Sequence, residues 1–215
     1  MNRDHIVCED AVSAWFQAIA QHGWRAASLR HAAALSGLSA QDIQRFAADK
    51  LDALSIFQGK VAKDSARAAA GEGAGMGSVR DRLFDGLMQG FDVLQSERAA
   101  VLALWTSRDP AVFAIAIGRA GSGVRRLASA AGCDTKGVRG QVRLAALAAL
   151  CAKAFDTWRS DISPDMQATM AEIDRMLAKA EQAETEGFSL ALVGLSGLPN
   201  PFDRARRSSP GPRSE

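Results

Sequence analysis

The sequence predicts an all-α protein, and three observations carry that expectation. Alanine dominates many stretches, Tyr is absent and β-branched residues seldom cluster, so the propensities lean to helix. Apolar residues recur at three- and four-residue spacing through most of the chain. Ser, Asp, Pro and Gly stand where those segments start and stop. The layout expected is an N-terminal three-helix helix-turn-helix module followed by a C-terminal helical bundle, with about nine helices in all.

The first helix is expected from about Glu9 to Gln21, burying Val12, Trp15, Phe16 and Ile19, with Gly23 to end it. Ser28 then caps a short helix carrying Leu29, Ala32, Ala33 and Leu35, which Gly37 stops. Ser39 opens the next through Ser-x-x-Asp, a capping-box variant. Two short helices joined by a Gly-containing turn of three or four residues make a helix-turn-helix. A longer helix follows from about Asp49 to Ala70, with Leu51, Leu54, Phe57 and Val61 on one face.

Residues 71–77 carry Gly at every other position, which no helix interior tolerates well, and they are expected to form a linker. Beyond it Ser78 and Asp81 cap a strongly amphipathic helix bearing Val79, Leu83, Phe84, Leu87, Met88, Phe91 and Leu94. Helices are expected next at 97–107, from Asp109-Pro110 to about Ala131 with room for a break at Gly118 to Gly123, and at about 136–160. Ser163-Pro164-Asp165 starts the last, with Met166, Met170, Ile173 and Leu177 on one face. The domains expected are thus 1–50 (helix-turn-helix), 51–70 (connecting helix), 71–77 (linker), 78–187 (C-terminal helical bundle) and 188–215 (a loosely ordered tail).

Composition excludes several classes. The 215 residues, with 47% hydrophobic and 23% charged side chains, are enough to bury a real core. The acidic N-terminus does not resemble a secretory signal, and the longest apolar runs, Val142–Leu150 and Phe188–Leu198, fall short of the roughly 20 residues a spanning helix needs. Three widely spaced cysteines form no CxxC pair, so no disulfide framework or zinc site is expected, and the cytoplasm is the expected location. His5, His22 and His31 share no metal-ligand spacing, no Ser or Cys stands in a nucleophile motif, and neither glycine cluster has the Gly-Lys-Ser/Thr ending of a phosphate loop. No enzyme, metal or cofactor is expected. The net charge of +2 resides in the tail, where Arg204, Arg206, Arg207 and Arg213 face Asp203 and Glu215, so residues 1–199 are neutral.

The segment Ser28 to Lys50 resembles the helix-turn-helix of TetR-family transcriptional regulators. Ser28 matches the start of the supporting helix, Ser36-Gly37-Leu38-Ser39 the turn, and Lys50 the closing Lys. Leu127 to Gly140 and Thr157 to Leu177, with Trp158, Asp161, Ser163, Asp165 and Asp174, are similar to the final helices of a TetR subgroup akin to the lipid-binding accessory proteins of ubiquinone biosynthesis. The resemblance implies a homodimeric regulator, a repressor in its commonest form, that binds operator DNA and a small apolar effector. Ser28, Arg30, Ser39, Gln41, Gln44, Arg45 and Lys50 then face DNA; Phe84, Met88, Phe91, Trp105 and Phe113 line the effector site; Leu144, Leu147, Phe155, Met166, Met170 and Ile173 form the dimer interface.

The chain departs from the family at Ala40, Gln41, Gln44 and Ala47, where Lys, Gly, Tyr and Phe are usual, and residues 1–50 carry five basic and five acidic side chains. A DNA-binding face normally shows a basic excess. A second reading therefore stands beside the first: a lipid or isoprenoid-quinone accessory protein whose helix-turn-helix is vestigial. A purely structural helical partner is a third.

Overall fold

A computed structural model describes residues 3–71 and 77–185, with side chains from Cys8 to Glu184. The middle of the glycine run and the tail from 186, including its arginines, lie outside the described residues. Those described form nine helices and no strand: α1 (Arg3–Ala26), α2 (Leu29–Ser36), α3 (Ala40–Phe46), α4 (Lys50–Ala70), α5 (Val79–Ser96), α6 (Arg98–Ser107), α7 (Pro110–Ala130), α8 (Gly137–Ser160) and α9 (Gln167–Thr185).

Most helix starts are local chemistry. The first amides of a helix lack intrahelical partners, and a short polar side chain just before them supplies one. Ser28, Ser39, Asp49, Ser78 and Asp109 do this for α2, α3, α4, α5 and α7, and Ser78 with Asp81 forms a reciprocal capping box. Three elements differ from the sequence expectation: α9 begins only at Gln167, with Met166 before it at a positive φ of 53°. α1 does not end near Gln21 but kinks at Gly23 (φ 76°, ψ 163°) and adds a last turn carrying Trp24. α7 runs unbroken through Gly118, Gly121 and Gly123. Each glycine costs about 1 kcal/mol of helix propensity, and packing of this helix against α4 outweighs it, with Gly123 facing the Ala62 methyl.

The chain divides into two units after Leu177, and the described part of the second is the end of α9. Up to that point one core is shared. α1 inserts Trp15, Phe16 and Ile19 among α2, α3, α4 and α6, and α4 lies against α5 and α7. The Phe16 and Phe57 rings meet at 4.5 Å between α1 and α4. At the α4–α5 crossing a Cβ on Gly86 would stand 2.8 Å from the Ser65 carbonyl oxygen, and one on Gly90 would stand 2.5 Å from Ser65 Oγ. Four residues apart, the two glycines form a notch on one face of α5 that seats Ser65.

The far end of the bundle is tied by polar groups. Arg98, the first residue of α6, donates to the carbonyls of Trp158, Arg159 and Asp161 at 2.9, 3.1 and 2.9 Å, closing the C-terminus of α8. Its guanidinium also lies 4.6 Å from the centre of the Trp158 ring. The buried Asp161 carboxylate accepts from the amide and hydroxyl of Ser163 and from the amide and hydroxyl of Thr169, which fixes the α8–α9 corner. Burial raises the affinity of this carboxyl for its proton, but the hydrogen bonds from Ser163 and Thr169 together hold it far below its ordinary value of 3.8.

Two outcomes follow from this packing. Gly86→Ala gains about 1 kcal/mol of helix propensity but drives a methyl into a backbone carbonyl, and overpacking costs roughly 1–3 kcal/mol; the denaturation midpoint falls with the m-value unchanged. Asp161→Asn lowers the melting temperature near neutral pH. Because the folded pKa is depressed, the native Asp161 stabilises above its ordinary value of 3.8 and loses that stability as pH falls through the folded pKa. Melting curves of wild type and variant therefore converge as the solution is acidified.

Candidate nucleic-acid interface

The exposed face of α3 is framed by two caps and a turn. Gly37 adopts the left-handed conformation (φ 72°, ψ 3°) and returns its N–H to Ala33 O, which ends α2. Ser36 Oγ donates to Ala32 O at 2.8 Å and accepts from Leu38 N at 3.2 Å. Ser39 Oγ accepts from Asp42 N at 3.0 Å and donates to Asp42 Oδ2 at 2.6 Å, starting α3. Ile43 points into the core and is fully buried. The Trp15 indole donates to Ala47 O at 3.1 Å, pinning the end of α3 to α1.

With Ile43 committed inward, and about 100° of turn per residue, Gln41, Gln44 and Arg45 fall together on the opposite, solvent-facing side, where all three are exposed. The Arg45 guanidinium stands 5.4 Å from the centre of the Phe46 ring, which limits its spread without using its donors. Carboxamide and guanidinium groups are the side chains that pair bidentately with adenine and guanine edges in the major groove. Arg30 is exposed on α2. Ser28 and Ser39 use their oxygens as caps, Ser28 accepting from His31 N at 3.4 Å. His22 and His31 stack at 3.9 Å, bridging α1 and α2.

Lys50 departs from the expectation of a DNA contact. Its ammonium is turned inward, donating to Trp24 O at 2.6 Å and lying 4.6 Å from the centre of the Trp24 ring. Trp24 in turn donates through Nε1 to Asp109 Oδ2 at 2.9 Å. Neither Trp24 nor Asp109 stood out as functional in the sequence. The only local signal was a tryptophan directly after the glycine expected to end α1.

The residues expected to line an effector site divide in two. Phe91, Trp105 and Phe113 join Phe155 and Trp158 in one aromatic row: Phe91–Trp158 at 6.4 Å, Phe155–Trp158 at 5.5 Å, Trp105–Phe155 at 5.3 Å and Trp105–Phe113 at 5.6 Å. Phe84 and Met88 are half-buried against the core from α5. These aromatic rings fill the space between α5, α6, α7 and α8 with one another, and Arg159 covers the exposed Trp105 ring at 4.7 Å.

The six residues expected at a dimer interface differ in exposure. Leu144, Leu147, Met166 and Ile173 are buried within the protomer, Ile173 completely. Phe155 belongs to the aromatic row, and only Met170 of the six is exposed. The outward face of α8 instead carries Val138, Gln141, Ala145, Ala148 and Ala152. Among the described residues no group of three or more His, Cys, Asp or Glu could hold a metal ion, and no single helix is long and apolar enough to cross a membrane.

No protein-family model matches the sequence, and no curated protein matches it. Solved structures do. The chain is similar to the TetR transcriptional regulator from Nitrosomonas europaea, with a TM-score of 0.67 at 19% identity over 81% of this chain and 98% of that one. It is also similar to a transcriptional regulator from Rhodococcus sp. Rha1, with a TM-score of 0.49 at 17% identity over 82% and 96% of the two chains. The fold is that of the TetR-type regulators: all-α, with the helix-turn-helix at its N-terminal end.

One further joint links this module to the bundle and carries a pH signature. Ser13 Oγ on α1 donates to Glu97 Oε1 at 3.3 Å, where α5 meets α6. Burial pushes the Glu97 carboxyl above its ordinary value of 4.5, more than the Ser13 hydroxyl pulls it down. A raised carboxyl stabilises the fold while protonated, and that stability is lost as pH rises from its ordinary value through the raised one. Glu97→Gln therefore raises the melting temperature at about pH 7 and leaves it unchanged below about pH 4.

Proposed function

We propose that the protein is a TetR-type transcriptional regulator, a repressor that reads operator DNA as a homodimer and works in the cytoplasm. The observation that carries this reading is the face of α3: Gln41, Gln44 and Arg45 share one exposed side of a helix held by caps at both ends and by Trp15 behind it. The side-chain chemistry suits base edges better than phosphates, because guanidinium and carboxamide forks match guanine and adenine. Arg30, exposed on α2, supplies phosphate contact from the supporting helix. A two-fold dimer would set two such helices about 34–36 Å apart, one turn of DNA. Its surface would be the outward face of α8 with Met170 of α9, the apolar area these helices leave uncovered. The thiols of Cys8 and Cys151 fit a reducing compartment, Cys151 being pushed up to about 11 by burial.

The effector in this reading is small and apolar, and it enters by parting the aromatic row rather than by filling a preformed void. Phe84 and Met88 form the softer wall beside that row.

The inward Lys50 and the balanced charge of residues 1–50 favour one second reading, a lipid or isoprenoid-quinone accessory protein with a vestigial helix-turn-helix. Binding to a random-sequence duplex pool across a salt series separates the two. A regulator enriches a preferred sequence that survives physiological salt; a vestigial module binds only at low salt and without preference. Mass spectrometry of an organic extract of protein purified from its native source then shows bound lipid or quinone.

On the enriched duplex, Arg45→Ala weakens binding by about 1–3 kcal/mol and relaxes the preference at one base pair. Equal affinity for the enriched sequence would remove Arg45 from the interface.

A further inference from the structure

Trp24 is gripped by residues far from it in the sequence. Its indole Nε1–H donates to Asp109 Oδ2 at 2.9 Å, and its carbonyl accepts from Lys50 Nζ at 2.6 Å. The same ammonium rests 4.6 Å from the centre of the indole ring. Gly23 makes this possible: its backbone, at φ 76° and ψ 163°, turns Trp24 out of the line of α1, and that conformation is open to glycine almost alone.

The two partners of Trp24 belong to different parts of the molecule. Lys50 is the first residue of α4, and only Ala47, Ala48 and Asp49 separate it from the end of α3. Asp109 caps α7: its Oδ1 accepts from Ala111 N at 2.9 Å, while its own N–H donates to Ser107 Oγ at 3.2 Å. The corner it occupies includes Arg108, held at a positive φ of 51°. Each carboxylate oxygen of Asp109 therefore serves a different element, Oδ1 the start of α7 and Oδ2 the end of α1. The Trp24 indole is the first cause holding the Asp109 carboxyl below its ordinary value, followed by the amide of Ala111. Trp105 and Phe113, whose rings meet at 5.6 Å, flank the same corner on α6 and α7.

Two surface hollows include Trp24 in their lining. A hollow of about 350 Å³ borders it beside Arg25, Asp49, Leu51 and Ala111, and another of about 290 Å³ beside His22, Ala103 and Thr106. The ring itself is almost fully buried.

We propose that Trp24 is a positioning residue for DNA reading: its bond to Asp109 sets α3 against the α6–α7 corner, and breaking that bond is how a shift of the aromatic row reaches the reading helix. The inference rests on the regulator reading, and it names the path by which an effector regulates the DNA-binding face. A ligand parting Trp105 from Phe113 moves the corner, the corner carries Asp109, and Asp109 releases or holds the end of α1 together with the start of α4. No residue in this chain of contacts touches DNA, so its action is through the placement of Gln41, Gln44 and Arg45.

The test uses the full-length protein and two variants that spare the rest of the site. Trp24→Phe keeps a ring under Lys50 and removes the indole donor. Asp109→Ser keeps a good N-cap for α7 but is too short to reach Trp24. Amide hydrogen exchange is followed without DNA. Loss of one hydrogen bond to a charged acceptor shifts an opening equilibrium about tenfold, so exchange across 29–46 speeds by about that factor in either variant, while α8 keeps its wild-type rates. The double variant exchanges no faster than the singles, since all three lack the same bond. Unchanged exchange in 29–46, equal acceleration in α8, or additive effects in the double variant would each overturn the proposal, the last two by showing general loosening.

On an enriched duplex, Trp24→Phe loses about tenfold in affinity with an unaltered dependence on salt, because no phosphate contact is removed. A changed salt slope would show a direct contact and sink the positioning role. Failure of the wild type to select any DNA removes the regulator reading instead, and the exchange comparison still decides whether Trp24 ties the corner to α3.

Discussion

The guanidinium of Arg98 ties the end of α8 to the start of α6. A helix leaves its last carbonyls without partners, and its dipole makes that end attractive to a cation. Arg98 reaches across from α6 and donates to three carbonyls at once, those of Trp158, Arg159 and Asp161. Its flat face meanwhile covers the Trp158 ring, itself fully buried. α6 is also the helix on which α1 rests. One side chain thus fastens the far end of the bundle to the helix that supports the helix-turn-helix module, and the Asp161 carboxylate anchors α9 on the other side of the same corner.

Much of this fold was legible in the sequence because helix starts are written locally. Ser28, Ser39, Ser78 and Pro110 each stand at a helix start in the structure, since a hydroxyl cap or a fixed φ acts over three residues. The exposed trio on α3 was legible for a similar reason: once Ile43 is taken as core, the spacing of Gln41, Gln44 and Arg45 follows. What could not be read locally was decided at long range. The glycines of α7 look like a break until α4 packs beside them. Periodicity placed Leu144, Leu147 and Ile173 on shared faces, but it does not say whether such a face meets a second copy or the chain's own core, and the core took them. Lys50 is a basic residue beside a helix-turn-helix, and only the folded position of Trp24, 26 residues away, turns its ammonium inward. The Trp24–Asp109 pair spans 85 residues and left no trace in spacing or composition.

The module that results is unusual in its electrostatics. Five acidic side chains offset five basic ones over residues 1–50. Asp49 is committed to the amides of Leu51 and Asp52, and Asp42 to Ser39. These two carboxylates therefore shape the starts of α3 and α4.

The notch formed by Gly86 and Gly90 gives α4 a mechanical character. Ser65 is seated in it so closely that even a methyl group would collide, which keeps α4 from sliding along α5. Ser65 lies near one end of α4 and Lys50 begins the other, a separation of about 22 Å at roughly 1.5 Å per residue. Over that length a small angle at the crossing is magnified at the far end. A tilt of about 5° there carries the Lys50 end through about 2 Å, the scale on which a forked hydrogen bond is made or lost.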